Sequence, residues 1–401
     1  MKAFRKLFSF FLILIVGVGC QEKSTNDYLK TVLANIEKIE SASYFLTSEK
    51  WEHGDTVPNR IYNRFYKEYN NPADTTIGAS MVVLDGKDTT KLIFCYDGEI
   101  RATVNEEEKE IVIDDFTIMR LPFRMIDSPF FNKTKNIIQY ILTTEDSIEV
   151  VSEDRGNDFY LKLTIKEDEQ IEFFGKGRRM PKSAYTQDNT SVYELWINKT
   201  THLPYRVRRE MANDIWVGIC SDCTFNQLDI KDFNASDYFP VNYKWVKYGE
   251  KRMPNISPSQ LIGEKAPEWI LKDKDEKEVS LSDFKSKVLL LEFTGIGCGP
   301  CLASIPFLNE LKNKYGQEDV AVVGIEFWSR RAHSLRNYAN RHQINYPFLI
   351  ANEEIVQQYH IKPAPVFFVL DEQRVVRNVF SGYSTGTTDN EIINAIEDLL
   401  P

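Results

Sequence analysis

The chain has 401 residues, of which 49 are Lys or Arg and 59 are Asp or Glu, giving a formal net charge of −10. We expect no nucleic-acid partner, because such partners are held largely through phosphate contacts with basic residues. The length exceeds one ordinary hydrophobic core and fits two domains, and 6 cysteines are too few for a disulfide scaffold of this size.

The first residues have the layout of an export signal. Lys2, Arg5 and Lys6 form a basic start, Leu7–Val18 forms an apolar core, and small residues lead to Cys20. No apolar run reaches the ~20 residues that span a bilayer. The layout resembles a bacterial lipoprotein signal, in which the lipidated cysteine becomes the mature N-terminus.

This resemblance implies that residues 1–19 are removed, that Cys20 carries a lipid anchor, and that residues 20–26 form a tether. Gly17 stands where these signals usually have Leu, so secretion without a lipid is the alternative. Gln21 follows the cysteine, and not the Asp of an inner-membrane retention signal. The resemblance therefore implies a lipid-anchored, periplasm-facing protein of the cell envelope at the outer membrane, and an outward-facing anchored protein stays open.

Residues 27–250 are predicted to form an antiparallel β-rich domain with some helices. Apolar and polar residues alternate in Phe159–Ile165, as they do in a half-buried strand, and similar short runs recur through this region. Turn pairs such as Asp85-Gly86 separate the runs, which favours a half-barrel or sandwich. Ile118–Leu142 predicts one or two helices that interrupt the strands.

A second domain is predicted after a linker at residues 251–260, which contain Pro254 and Pro258. From residue 261 to 401 the pattern changes to alternating strands and helices. This α/β rhythm predicts a mainly parallel sheet that is covered on both faces.

The C-terminal domain contains a Cys-x-x-Cys motif, Cys298-Gly299-Pro300-Cys301, directly after the apolar run Val288–Thr294. The motif is predicted to begin a helix, whose free N–H groups and partial positive charge favour a thiolate. Cys298 at the helix tip is the expected exposed nucleophile, and Cys301 one turn later is the expected buried resolving thiol. A zinc half-site and an inert disulfide are the rival interpretations.

Residues 262–400 resemble the thioredoxin superfamily, and within it the TlpA/ResA-like thiol–disulfide oxidoreductases. Besides the cysteine pair, the resemblance is carried by Gly263-Glu-Lys-Ala-Pro267-Glu-Trp269, by Leu281-Ser-Asp-Phe284, by Pro306, and by the run from Tyr359 to Asp371. It implies a thioredoxin-like α/β fold. It also implies an enzyme that works through a redox-active disulfide, with no soluble cofactor and no metal.

The same resemblance assigns roles to several positions. Pro365 takes the place of the cis-proline that faces the disulfide, and the Ala364 backbone together with Gly299 and Pro300 would contact the substrate chain. The Gly-Pro pair resembles reducing members, which implies disulfide-bearing protein substrates and an inner-membrane electron donor of the DsbD or CcdA type. Glu292 lies where the family often has an acid beneath the redox pair, where burial would raise its pKa. A solvated residue at the sheet edge is the alternative for Glu292.

Two departures from the family pattern change these expectations. Thr294–Gly297 stands where the family usually has Trp-Ala-x-Trp, so aromatic cover is missing and Cys298 is expected to be more open. Ser304 stands where the group often has Glu, which weakens any transfer of a cytochrome-maturation role.

The β-rich domain contains a second Cys-x-x-Cys motif, Cys220-Ser-Asp-Cys223, within strand-like sequence. No helix start is visible, so a local structural disulfide is predicted, which would need a bulge or turn at Ser221-Asp222. An electron relay to Cys298 is the alternative. Cys95, in an alternating run, is expected to be a buried apolar side chain.

The β-rich domain also resembles LolA-like lipoprotein-carrier domains. The resemblance rests on an opening helix, the Tyr96-Asp-Gly98 turn, Tyr193-Glu-Leu-Trp-Ile197 and Leu203-Pro204-Tyr-Arg. It implies an apolar cleft for acyl chains or a peptide. The rival function is therefore a lipid- or peptide-binding lipoprotein whose β-rich domain carries the main activity, and a docking or spacer domain without a ligand is a third possibility.

Overall fold

The computed structural model describes residues 24–118, 126–180, 188–212, 214–250 and 257–400. The predicted signal, Cys20 and most of the predicted linker lie outside these ranges. Within them, no helix is both long enough and apolar enough to cross a membrane.

In the described part of the β-rich domain, fourteen strands form a 12-stranded sheet and a separate hairpin, together with two α-helices. The helices are α1 (residues 24–36) and α2 (Phe130–Thr143). The strands are β1 (Ser41–Trp51), β2 (Arg60–Asn70), β3 (Ala79–Asp85), β4 (Leu92–Tyr96), β5 (Arg101–Asn105), β6 (Glu110–Asp114), β7 (Ile148–Arg155), β8 (Asp158–Ile165), β9 (Ile171–Phe174), β10 (Lys176–Arg179), β11 (Ser191–Asn198), β12 (Leu203–Glu210), β13 (Ile215–Phe225) and β14 (Lys244–Lys247).

The large sheet has the order β14-β6-β5-β4-β3-β2-β1-β13-β12-β11-β8-β7, and β9 pairs with β10. All neighbours are antiparallel except β14 and β6. The predicted antiparallel, β-rich organisation is confirmed. The structure has one large sheet where a sandwich would have two stacked sheets, and a half-barrel stays a prediction.

One face of this sheet is covered by the two helices. Apolar residues of α1 pack on alternate residues of β1, and α2 adds aromatic and aliphatic side chains to the same core. The helical prediction for Ile118–Leu142 is confirmed in part, because α2 begins only after Pro129, and residues 119–125 lie outside the described residues. Buried Glu68 accepts the N–H groups of Phe131 and Asn132, which satisfies the start of α2.

In its described residues, the C-terminal domain has a seven-stranded sheet of order β16-β15-β19-β18-β17-β20-β21. Its strands are β15 (Ile270–Asp273), β16 (Glu278–Ser280), β17 (Val288–Thr294), β18 (Val320–Glu326), β19 (Phe348–Ile350), β20 (Val366–Leu370) and β21 (Val376–Ser381). Its α-helices are α3 (Gly299–Lys314), α4 (Ala332–Arg341), α5 (Glu353–Gln358) and α6 (Thr388–Glu397).

This sheet is mixed, so the expectation of a mainly parallel sheet is wrong. Only β17, β18 and β19 run parallel, whereas β20 is antiparallel to β17 and β21 is antiparallel to β20. The turn at residues 371–375 joins β20 to β21, and a connection this short permits only an antiparallel pair.

Central strand β17 is buried along its whole length and packs against a core on each face. Leu289, Leu291 and Phe293 contact one core, whereas Val288 and Leu290 contact the core that contains α3, α4 and α6. Alternation along the strand therefore points Glu292 towards the α3 side. The thioredoxin-like fold of this domain places that carboxyl beneath the start of α3.

Candidate active site

Cys298 and Cys301 lie at the junction between β17 and α3. Cys298 is the N-cap residue of α3, and its Sγ accepts the backbone N–H of Cys301 at 3.2 Å. The two cysteines form a disulfide with a Cα–Cα distance of 5.2 Å. The helix predicted from the motif is confirmed. Pro300 occupies its first turn, where backbone N–H groups have no partner within the helix, so the missing N–H of proline costs no hydrogen bond.

The exposed fractions of the two cysteines are 5% for Cys298 and 0% for Cys301. Cys298 is the outer sulfur of the pair, but the expectation that it would be open is wrong. Gly295 lies against the indole ring of Trp328, and any side chain at Gly295 would collide with that ring. The Cys298 N–H donates to the Gly295 carbonyl at 3.0 Å, so the tryptophan covers the turn that carries the nucleophile.

Glu326 organises the loops on both sides of this turn. Its carboxylate is fully buried at the end of β18 and accepts the N–H groups of Ile296, Trp328, Ser329 and Arg330 at distances between 2.8 and 3.3 Å. Four donors compensate the charge of the buried carboxylate. Glu326 was not singled out from the sequence, although an acid at the end of an apolar strand is the same kind of signal that pointed to Glu292.

The Ala364–Pro365 peptide bond is cis, as the resemblance implied for Pro365. The Ala364 carbonyl oxygen lies 3.7 Å from Sγ of Cys298. Ala364, Gly299 and Pro300 are half-buried, whereas Pro365 is buried. The backbone before the proline therefore faces the disulfide and leaves partly exposed surface beside it.

Glu292 is buried, with an exposed fraction of 1%, and burial raises its pKa to about 8. The Ser304 hydroxyl lies 2.6 Å from Oε1 of Glu292 and 2.7 Å from the carbonyl oxygen of Cys301. One hydroxyl proton cannot serve two acceptors fully. A protonated Glu292 completes the arrangement, because it donates to the serine oxygen while the serine donates to the Cys301 carbonyl. Ser304 thus links the buried acid to the residue that carries the inner sulfur.

The turn between β1 and β2 of the β-rich domain contacts the segment that follows Trp328. Arg331 donates to the Pro58 carbonyl at 2.6 Å. Asn337 donates to the Gly54 carbonyl at 3.1 Å and to Asp55 at 2.9 Å. Arg60 donates to the carbonyl of Trp328 itself. Trp328, which covers the active-site turn, is therefore held in place by contacts with both domains.

A cleft of about 380 Å³ lies between the two domains. It is lined on the β-rich side by residues that include His53, Glu210 and Met211, and on the other side by Leu302, Arg341 and His342. Leu302 directly follows Cys301, so this cleft reaches the first turn of α3.

Cys220 and Cys223 lie on β13, with their sulfur atoms 3.1 Å apart, and both are free thiols in this structure. The predicted local disulfide is not formed here, but the bulge that it requires is present. Cys95 is fully buried, as expected. Among the described residues, no cluster of three or more His, Cys, Asp or Glu side chains could hold a metal ion.

The raised pKa of Glu292 predicts how stability depends on pH. The folded protein holds this proton to higher pH than the unfolded chain, so the free energy of unfolding falls as pH rises from about 4.5 to about 8. Glu292→Gln removes the titration. The free energies of unfolding of the two oxidised proteins are measured with denaturant at pH 5 and at pH 8. From pH 5 to pH 8 the wild type should lose a few kcal/mol of stability relative to the variant.

Glu310→Gln, an exposed change on α3, is the control and should leave the pH dependence of the wild type unchanged. Parallel pH profiles for Glu292→Gln and the wild type would show that the carboxyl stays ionised in the folded state.

The position of Trp328 predicts that its ring restricts access to Cys298. In the reduced protein, Trp328→Ala should increase the alkylation rate of Cys298 by a bulky maleimide several-fold, because the ring is removed while the backbone bonds to Glu326 remain. Trp245→Ala removes a 59% exposed ring of the β-rich domain and serves as the control. An unchanged rate for Trp328→Ala would contradict the covering role.

Residues 261–396 match the family model described as Redoxin. The thiol-disulfide oxidoreductase ResA of Bacillus thuringiensis subsp. konkukian (strain 97-27) is 29% identical over 136 residues, which are 34% of this chain and 78% of that protein. The thioredoxin-like protein YneN of Bacillus subtilis (strain 168) is 30% identical over 125 residues, which are 31% of this chain and 73% of that protein.

Among solved structures, the crystal structure of a putative thiol:disulfide interchange protein DsbE from Chlorobium tepidum is similar, with 23% identity and a TM-score of 0.33. The match covers 35% of this chain and 98% of the chain from Chlorobium tepidum. The matched sequence region carries the Cys298–Cys301 disulfide and the cis-proline. Through this C-terminal region the chain belongs to the thioredoxin-like thiol–disulfide oxidoreductases.

Proposed function

We propose that this protein reduces disulfides of extracytoplasmic proteins from a lipid anchor on Cys20, facing the periplasm from the outer membrane. The observation that carries the proposal is the geometry at the start of α3. A disulfide lies at the helix N-terminus, and the carbonyl before the cis-proline is 3.7 Å from its outer sulfur. A substrate chain that pairs with the Ala364 backbone would bring its own disulfide to Cys298.

The reaction proceeds by two exchanges. The Cys298 thiolate attacks one sulfur of the substrate disulfide, which forms a mixed disulfide and releases the other substrate sulfur as a thiolate. Cys301 then attacks Cys298 and releases the second substrate thiolate. The substrate gains two electrons, and the enzyme finishes with the Cys298–Cys301 disulfide, which is the state of this structure.

Glu292 and Ser304 act in the second exchange, in which the thiol of Cys301 must lose its proton. Cys301 is fully buried, so its thiol needs a nearby base before it can attack. A carboxyl whose pKa is about 8 titrates close to neutral pH. In its ionised form it can accept that proton and later return it. Ser304 contacts both this carboxyl and the Cys301 backbone, and therefore holds the acid in place.

Each cycle consumes two electrons, which must be supplied from outside the chain. An inner-membrane donor of the DsbD or CcdA type would reduce the Cys298–Cys301 disulfide by the same exchange chemistry. The Gly299-Pro300 pair supports the reducing direction, since thioredoxin itself is a reductant of about −270 mV.

The cysteine variants test this proposal directly. Cys298→Ser should abolish the reduction of insulin disulfides, because the attacking sulfur is lost. Cys301→Ser should leave client proteins covalently attached to Cys298, because the resolving step is blocked. Mass spectrometry of the trapped species from cells would identify the clients.

The double variant Cys298→Ser/Cys301→Ser is the matched control and should trap nothing. Full insulin reduction by Cys298→Ser, or a Cys301→Ser trap that stays empty, would overturn the proposal.

The second candidate is recognition of a polypeptide by the β-rich domain, and a cleft of about 390 Å³ favours it. The cleft is lined by aromatic rings, among them Tyr62, Tyr66 and Trp216, and by charged side chains of both signs. Lys133 pairs with Asp127 and Arg209 pairs with Glu172, and Lys50 and Arg64 add two further cations. This mixed, charged lining suits polar and aromatic side chains of a client better than an acyl chain.

Charge reversal in this cleft separates client binding from chemistry. Arg64→Glu should raise the KM for insulin several-fold while kcat for insulin and the rate with oxidised glutathione stay unchanged, because glutathione needs only the redox centre. Lys87→Glu, an exposed change on a turn, is the control. An unchanged KM for Arg64→Glu would exclude this cleft from binding insulin.

A further inference from the structure

A bulge in β13 brings the second pair of cysteines together. Opposite β1, the register moves from Ser43 facing Thr224 to Phe45 facing Ser221, so β13 carries one extra residue there. Asp222 adopts a positive φ of 53° within this bulge. In a regular strand Cys220 and Cys223 would point to opposite faces, but the bulge leaves their sulfur atoms 3.1 Å apart.

The two thiols differ in access and in environment. Cys220 belongs to the core beneath the sheet with an exposed fraction of 6%, whereas Cys223 is exposed. Burial raises the pKa of Cys220. The hydrogen bond from Cys220 lowers the pKa of Cys223, although partial burial and the nearby carboxyl groups of Asp222 and Glu68 oppose that effect. One accessible sulfur therefore lies beside one sheltered sulfur, as in the Cys298–Cys301 pair.

We propose that Cys220 and Cys223 are a second redox couple, which disulfide compounds oxidise and which the Cys298–Cys301 dithiol of another copy of this chain reduces. The inference rests on the thiol–disulfide exchange activity of the C-terminal domain. It adds a second redox site to the chain and makes the chain its own substrate.

Atoms, protons and electrons balance in this exchange. The Cys298 thiolate attacks the accessible sulfur of Cys223 in the Cys220–Cys223 disulfide, and Cys220 leaves as a thiolate that takes up a proton. Cys301 loses its proton and attacks Cys298, which releases Cys223. One disulfide and one dithiol have exchanged two electrons, and no other reactant is needed.

The arrangement of the domains favours transfer between two copies. Cys220 pairs with Leu46, whereas the contacts with the C-terminal domain begin beyond the other end of β1, at Gly54. The five residue-to-residue steps from Leu46 to Trp51 alone span roughly 17 Å in a strand. Within one molecule the two pairs therefore do not meet in this arrangement, and the transfer rate should depend on protein concentration.

Two full-length variants isolate the two couples. The acceptor is Cys298→Ser/Cys301→Ser, oxidised with glutathione disulfide, and the donor is Cys220→Ser/Cys223→Ser, reduced and freed of reductant. After mixing, acid quenching and alkylation, trypsin releases residues 210–231 and residues 288–312, each with only one of the pairs. We expect the first peptide to gain two labels while the second loses two, with second-order kinetics.

Further substitutions in the donor identify the sulfur atoms through which the electrons pass. Adding Cys298→Ser to the donor should slow the transfer by roughly 100-fold or more, because the attacking thiolate is lost. Adding Cys301→Ser instead should accumulate a mixed disulfide that joins Cys298 to Cys223. Cys95 is fully buried, so the labelling of its own peptide is an internal control that should not change during the exchange.

Failure of glutathione disulfide to close the Cys220–Cys223 pair would overturn the inference. So would a closed pair that stays oxidised in the presence of a donor that reduces insulin. If the donor variant also failed to reduce insulin, the reductase function itself would be contradicted, so the two failures can be told apart.

Discussion

The junction between the end of β17 and the start of α3 determines where every reacting group lies. The N-cap position exposes Cys298 to the unpaired N–H groups of the helix, which stabilise negative charge on the sulfur. The same turn is closed by two buried carboxylates that have different partners. Glu326 accepts four backbone N–H groups, whereas Glu292 meets one hydroxyl and burial raises its pKa. One acid is therefore a fixed part of the scaffold, and the other can exchange a proton.

The parts of the site that local sequence could predict are those encoded within one short segment. Cys298 and Cys301 follow from a strand that leads into a helix, and Glu292 follows from an acid in an apolar run. The cis-proline at Pro365 followed from the family resemblance. Trp328 was not predictable in this way, because its role depends on packing against Gly295, which lies in a different loop. The missing aromatic residues before Cys298 were correctly noted, but the cover is supplied from elsewhere in the chain.

The fold shows the same limit. Alternation predicted the strands of the β-rich domain, because the side-chain period of a strand is a local property. The partner of each strand is not local, so neither the single large sheet nor the antiparallel edge of β20 and β21 was predicted. The contacts between Asn337 and the turn after β1 join residues that are more than 280 positions apart. Since each such hydrogen bond contributes only about 1 kcal/mol, a few of them hold the cover in place without making it permanent.

The two cysteine pairs show how different local structures can present the same chemistry. A helix start places sulfurs three residues apart on one face through its own period, whereas a strand needs an added residue to do so. The helix also supplies positive electrostatic potential at Cys298, whereas at the bulge the hydrogen bond from Cys220 lowers the pKa of Cys223. A larger thiolate fraction at Cys298 speeds its attack on a disulfide, whereas the net direction of exchange between the two pairs is set by the difference between their reduction potentials.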